Sequence, residues 1–574
     1  MTKEINYSIS FKDPSEHYCE VTINVRNLAT ESLLFSMPVW TPGSYMIRDY
    51  AGKVQNVSVT DGKGAYRPAE KISKNTWRVA AGGSKEINFS YRVYCNELTV
   101  RTSEVTTEHA FLNSSGIFMF VRGLEHLPCN LKINLPKDWK EISTGLEHTG
   151  KNKFRAENYD EFIDCPIEIG NQTILEFQIK KIPHRICIVG NGNYDPKKLI
   201  NDFKIIAETQ IKFLKGKIPY QNYTYIVHLV EKGGGGLEHL NSFVVQFPRL
   251  NFNDAKAYRK FLGLVSHEFF HLWNVKRIRP VVLGPFDYDK ENYTQSLWIA
   301  EGWTSYYDNV LLRRTGLINN REYLEFLEHE VNDVMRFQGR FHQPLRESSY
   351  DTWIKFYKKD ENTNNSQVSY YTKGALVATM LNIEIISATN FTKSLDDVIL
   401  ALYDDYLNDA SKGYTEERVK QICEELCGKS LDEFWRKYLD GTDELPIKDY
   451  LGRCGIEMTD ANESVKCSLD IEAKTENGKL IIVKVFAGGS AHAAGLSSGD
   501  ELIAIDGYRI DNELMNKIIG DMKAGDKVEI LASRKGLIRS IKVALLKPLP
   551  KYVLTERKDP SKTEKQLLDK WIEG

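Results

Sequence analysis

The 574-residue sequence predicts a multidomain α+β protein: a strand-rich N-terminal region, a mostly helical middle, and a smaller strand-rich unit near the C-terminus. Three observations carry this. The chain is too long for one hydrophobic core, since single cores stop growing at about 250–300 residues. Apolar and polar residues alternate through roughly the first 170 positions, the period of half-buried strands. From about 195 to 440 the period lengthens to that of amphipathic helices, and short alternating runs return after 470.

In order, HYCEVTINVRN, NTWRVAA, SKEINFSYRVYC and CNLKINL read as strands separated by turn residues, and predict an antiparallel β-sandwich. SMPVWTPGSYMIRDY (36–50) breaks the alternation with Pro38, Pro42 and Gly43 and reads as a structured loop. In DPKKLINDFKIIAETQIKFLKG, Leu199, Phe203, Ile206, Ile211 and Leu214 fall near one helix face. YTYIVHLV (223–230) is a strand leading into GGGGLEHLNSFVVQF. DELPIKDYLGRCGIEM (443–458) reads as a linker into the last β unit, and the polar tail beyond Pro550 ends in a short helix, KTEKQLLDKWI.

Net charge is −2, which gives no electrostatic case for nucleic acid or an anionic membrane, and no stretch approaches a membrane span. Nine cysteines without a CxxC pair argue against a disulfide framework or a cysteine-zinc site, and fit reduced thiols. As written the chain has no apolar leader and is expected in the cytoplasm; with a trimmed leader it would be periplasmic or secreted.

The strongest chemical signal is His267-Glu268-Phe269-Phe270-His271 inside YRKFLGLVSHEFFHLWNV. Residues four apart on a helix project from one face about a turn apart, which suits two nitrogen ligands on one zinc ion. Glu268 lies about 100° round the helix and can reach a water on the metal without ligating it. A catalytic zinc needs a third protein ligand. Glu301, in SLWIAEGWTSYYDNVLLRR, is the candidate: a carboxylate among apolar residues is costly to bury unless a cation offsets it.

Two further elements fit a peptidase. In Gly235-Gly236-Leu237-Glu238-His239 the glycines permit close backbone approach to a substrate, and the acid beside them can receive an ammonium. A phosphate loop is excluded because no GK[ST] follows the glycines. Tyr371, in YYTKG before the apolar run ALVATMLNIEI, could donate its hydroxyl to an oxyanion.

GGLEH, HEFFHLWNVKRIRP, WIAEGWTSYY and YYTKG together resemble the gluzincin aminopeptidases, and most of all the glycyl aminopeptidase family with a C-terminal PDZ domain. PVWTPGSYMIRDY is similar to that family's β domain, so the resemblance spans nearly the whole chain. It implies a β-sandwich over 1–172, a thermolysin-like zinc peptidase domain over 173–448, a PDZ domain over 449–548 and a tail over 549–574. It implies one zinc per chain on His267, His271 and Glu301, with Glu268 as the acid-base group and Tyr371 on the oxyanion. Glu238 would hold the substrate's α-ammonium, with Gly235, Gly236 and His239 beside it; His239 stands where larger relatives carry Asn. The implied activity is removal of small N-terminal residues such as Gly or Ala.

Gly489-Ser490-Ala491-His492-Ala493-Ala494-Gly495-Leu496, Gly499-Asp500-Glu501-Leu502 and Ile505-Asp506-Gly507 are similar to a PDZ domain. Such domains take an extended peptide by strand addition and capture its C-terminal carboxylate, here with LGRCGIEM (451–458) as the candidate carboxylate loop. The expected partners are therefore peptides with a free N-terminus at the zinc and a peptide C-terminus at the PDZ domain. Two rival readings stay open: a zinc endopeptidase with PDZ-guided substrates, and a non-catalytic PDZ scaffold.

Overall fold

A computed structural model describes residues 3–28 and 30–574. The chain forms two compact units, Met1–Tyr293 with Asp405–Gly413, and Thr294–Asp404 with Tyr414–Gly574.

The first unit opens on a seven-stranded sheet in the order Glu147–Gly150, Lys153–Ala156, Cys129–Asn134, Ile5–Ser10, Tyr18–Arg26, Glu86–Tyr94, Val54–Asp61. Alternation along Tyr18–Arg26 turns Cys19, Val21, Ile23 and Val25 into the core. A four-stranded sheet of Phe120–Val121, Ser32–Ser36, Thr76–Ala80 and Ala69–Lys71 shares that core. Phe35 of the second sheet stacks on Phe89 of the first, centroids 4.2 Å apart and planes at 12°. The expected sandwich is there with one departure: Ile5–Ser10 runs parallel to Cys129–Asn134. Alternation cannot reveal strand direction, and the long intervening chain supplies the crossover a parallel pair needs.

A third sheet of Glu141–Thr144, Ile167–Gly170, His109–Leu112 and Glu104–Val105 completes this region. Next comes a five-stranded sheet, Thr173–Ile179, Ile182–Val189, Tyr223–Val230, Ser242–Pro248 and Gly235–Glu238. Helix Pro196–Phe213 packs near it with Leu199, Phe203, Ile206 and Ile211 buried, as their spacing predicts. Its start is set by Asp195, whose carboxylate accepts from the Lys197 and Lys198 amides, and by Pro196 in the first turn. Buried Gln210 donates to the Ser266 carbonyl at 2.9 Å and so ties this helix to Ala255–Phe270.

The second unit is built round helix Thr372–Ala388, which is buried on all sides over most of its length. Around it lie Thr304–Arg314, Asn320–Met335 and Glu416–Cys427. Beyond residue 470 the strands Ile471–Glu476, Lys479–Val485, Glu501–Ile505, Lys527–Arg534 and Leu537–Ala544 form one sheet, with Tyr508–Arg509 paired to Glu501–Ile505. It has its own core, including Ile482, Leu502, Ile505 and Ile530.

One expectation changes here. The linker is helix Ile447–Arg453 followed by strand Ile456–Asp460, and Leu451, Cys454 and Ile456 are buried, so LGRCGIEM is a packed junction rather than an open carboxylate loop. The tail carries the short helix its sequence predicts, preceded by a strand that the sequence did not show. Tyr552–Glu556 pairs antiparallel with Ile456–Asp460. The other edge is met by a helix side chain: Asn332 donates to the Tyr552 carbonyl and accepts from its amide, both at 2.8 Å. Helix Lys562–Glu573, capped by Ser561, buries Leu567, Trp571 and Ile572. No described helix is long and apolar enough to cross a membrane.

Candidate active site

Helix Ala255–Phe270 begins where the Asp254 carboxylate accepts from the Ala257 amide. Periodicity extends it toward Val275, but it ends at Phe270, because the following groups bond differently. The Ile278 amide donates to the Trp273 carbonyl at 2.7 Å, and His271 Nδ1 donates to the Asn274 carbonyl at 2.6 Å. His271 keeps helical dihedrals, so the two imidazoles still share a face, with their Nε2 atoms 3.0 Å apart. The bond from Nδ1 fixes the tautomer and leaves the lone pair of His271 Nε2 facing His267. Two nitrogens so spaced can both lie about 2.0–2.1 Å from a single zinc ion.

Among the described residues, Glu238, Glu268 and His271 offer ligand atoms all within 4.8 Å of one another, and the expected zinc set is His267, His271 and Glu301. Two histidines and a carboxylate are a donor set that suits catalytic zinc.

Glu301 is buried, 2% exposed, on a π-helical turn, Trp298–Trp303, that continues into Thr304–Arg314. Such turns insert an extra residue and often occur at functional sites. Gly302 seats the turn: a Cβ there would lie 2.7 Å from the Gly374 Cα and the Tyr370 carbonyl oxygen. Tyr371 stands at the N-terminus of Thr372–Ala388, its ring stacked on Phe356 with centroids 5.3 Å apart. That contact restrains the ring, which the sequence could not show.

The edge strand Gly235–Glu238 pairs antiparallel with Ser242–Pro248. Its glycines make room for acids of the protein itself. A Cβ on Gly236 would lie 2.1 Å from Oε1 of Glu268. Gly43, in the loop 36–50 at φ +84°, would place one 2.5 Å from Oε1 of Glu238. Glu238 is 4% exposed, and its Oε1 has no hydrogen-bond partner among the described residues.

His239 is also buried, its ring turned to Asp164 with Nδ1 3.2 Å from Oδ1. Asp164 accepts from the Leu240 amide at 3.0 Å and from the Lys276 ammonium at 2.8 Å. Burial pushes the Asp164 carboxyl up, but Lys276 and His239 outweigh it and hold it below its ordinary value. Burial pushes Lys276 down, and Asp164 with Glu238 more than restores it. Glu238, Asp164, Lys276, Gly43, Tyr45 and Arg279 line a cavity of about 290 Å³. Sequence reasoning missed Asp164 altogether and passed over Lys276, although it lies within the extended histidine motif.

Residues 6–171 match the family model of the peptidase M61 N-terminal domain, 260–377 that of the M61 glycyl aminopeptidase, and 452–545 that of a PDZ domain. The structure is similar to that of an aminopeptidase N family protein from Idiomarina loihiensis, at 30% identity, 99% of this chain, 100% of that one and a TM-score of 0.92. It also matches a variant M1 zinc metallopeptidase from Deinococcus radiodurans bound to a Tyr-Ser-Ala substrate, at 11% identity, 78% of this chain, 95% of that one and a TM-score of 0.48. No curated protein matches the sequence.

Proposed function

The chain belongs to the M61 glycyl aminopeptidase family and carries a C-terminal PDZ domain; on that footing we propose that it is a zinc aminopeptidase cleaving the first peptide bond of peptides, preferably after Gly or Ala. One zinc per chain would be held by His267, His271 and Glu301. The 3.0 Å spacing of the His267 and His271 Nε2 atoms and the tautomer of His271 support this. Bound there, zinc would act as a Lewis acid on the scissile carbonyl and lower the pKa of water.

The remaining steps belong to the chain. Glu268, confined against Gly236, takes a proton from the attacking water and passes it to the departing amine. The Tyr371 hydroxyl donates to the developing oxyanion. The substrate main chain runs beside Gly235 and Gly236, and its α-ammonium meets Glu238. His239 assists this site through Asp164. The observation that carries the exopeptidase reading is the Glu238 carboxylate: buried, capped by Gly43, with one oxygen unpartnered. A buried anion without a full partner set is costly, and a ligand cation offsets that cost. The PDZ domain would take a peptide C-terminus. Nine buried, free thiols favour a reducing compartment.

The test compares one peptide with a free and an acetylated N-terminus, with and without chelator. The free peptide should be cleaved, the acetylated one spared, and chelation should stop cleavage. Equal cleavage of both would make the protein an endopeptidase; metal-free, folded and inactive protein would make it a scaffold.

A further inference from the structure

Asp164 reaches the two residues that follow Glu238, the His239 ring and the Leu240 amide, and with the same carboxylate holds Lys276. All of these groups are buried or nearly so, and Glu238 and Lys276 line one cavity. Other charges on that cavity are engaged elsewhere. Asp160 accepts from the Tyr288 hydroxyl and lies in the field of Arg279, whose charge offsets its own, and Glu161 accepts from the Glu157 amide.

Glu238 and Asp164 bring two negative charges and Lys276 one positive, so one negative charge is uncompensated. A peptide α-ammonium carries the one positive charge that balances it. Were Asp164 absent, Glu238 would be the strongest remaining anion acting on Lys276, which would neutralise it before substrate arrived.

We propose that Asp164 and Lys276 are positioning residues that keep the Glu238 subsite at one net negative charge and so fit it to a single ammonium. Asp164 does this by holding Lys276 away from Glu238 and by pinning the backbone just beyond it. The proposal rests on the aminopeptidase reading of Glu238. It concerns binding of the free amine rather than the chemical step, so it separates KM from kcat. The electrostatic field also acts on Lys276 from Glu238, in line with the two groups being close enough to compete.

The experiment uses the full chain loaded with zinc and an alanyl peptide with a free N-terminus. Asp164→Asn should raise KM on the order of tenfold with kcat within about threefold. Adding Lys276→Met to that variant removes the competing cation and should bring KM back to within about threefold of wild type. An unchanged KM in Asp164→Asn, or a double variant as poor as the single, overturns the proposal. Should Asp164→Asn fail to fold by circular dichroism, Lys276→Gln decides: it leaves two negative charges around the ammonium, so KM should fall about threefold or more, and an unchanged or raised KM rejects the idea. Failure of the underlying reading would show separately, as wild type cleaving the acetylated peptide as fast as the free one.

Discussion

Gly236 and Glu268 are packed so closely that no methyl group fits between them: a Cβ on Gly236 would lie 2.1 Å from Oε1 and 2.4 Å from Cδ of Glu268. A glycine on the edge strand thus positions an acid on the histidine helix.

Gly236→Ala should therefore displace Glu268 while leaving both histidines in place. A displacement near 1 Å typically costs about 10² in rate. Turnover should fall by that order with zinc content unchanged, measured by steady-state kinetics and metal analysis on one preparation. Loss of zinc together with activity would show that the strand supports the metal rather than Glu268.

Glu268→Gln preserves shape and removes the proton acceptor. It should keep zinc and thermal stability and lose hydrolysis by about 10²–10⁴. Tyr371→Phe should lower kcat by about 10²–10³ with little change in KM, as removal of one oxyanion donor does. A loss below about threefold would take Tyr371 out of that role.

Glu301→Gln should weaken zinc binding, since a neutral amide replaces the one anionic ligand in the proposed set. Dialysis against a mild chelator should strip this variant before wild type, with zinc restoring activity in both. Equal retention of metal would exclude Glu301 as a ligand.

Trp571 is fully buried, its ring edge-on to Tyr323 at 5.9 Å, and its carbonyl accepts from Arg314 at 3.1 Å. Trp571→Ala should cost about 3–5 kcal/mol and lower the thermal midpoint accordingly. A midpoint unchanged from wild type would show that the C-terminal helix adds nothing to the stability of the fold.

His109 lies between Glu104 and Glu168, and Glu168 also meets His228 at 2.9 Å. Burial opposes its charge, but the bonds to Glu104 and Glu168 prevail and push it up to about 10 from 6.5. A raised imidazole stabilises the fold fully below about 6.5, and the contribution is lost as pH rises to about 10. His109→Gln should therefore flatten the fall of the thermal midpoint between about pH 7 and 10. Parallel curves for the two proteins would deny His109 that role.

The division between sequence and structure follows from how far each feature reaches along the chain. His267, Glu268 and His271 share one helical turn, and the apolar face of Pro196–Phe213 repeats at helical spacing, so local geometry was enough to read both. The six-stranded C-terminal sheet was announced by its short glycine-bounded motifs. By contrast Gly43 meets Glu238, and Asp164 meets Lys276, across more than a hundred residues, and no periodicity carries such pairings. The helix end at Phe270 depended on which carbonyl His271 would find, and the tail's order on a partner strand at Ile456–Asp460. Residue type and spacing determined which chemistry the chain could support. Only tertiary packing decided which carboxylates would be crowded, paired or left open, because burial and charge balance depend on neighbours distant in sequence.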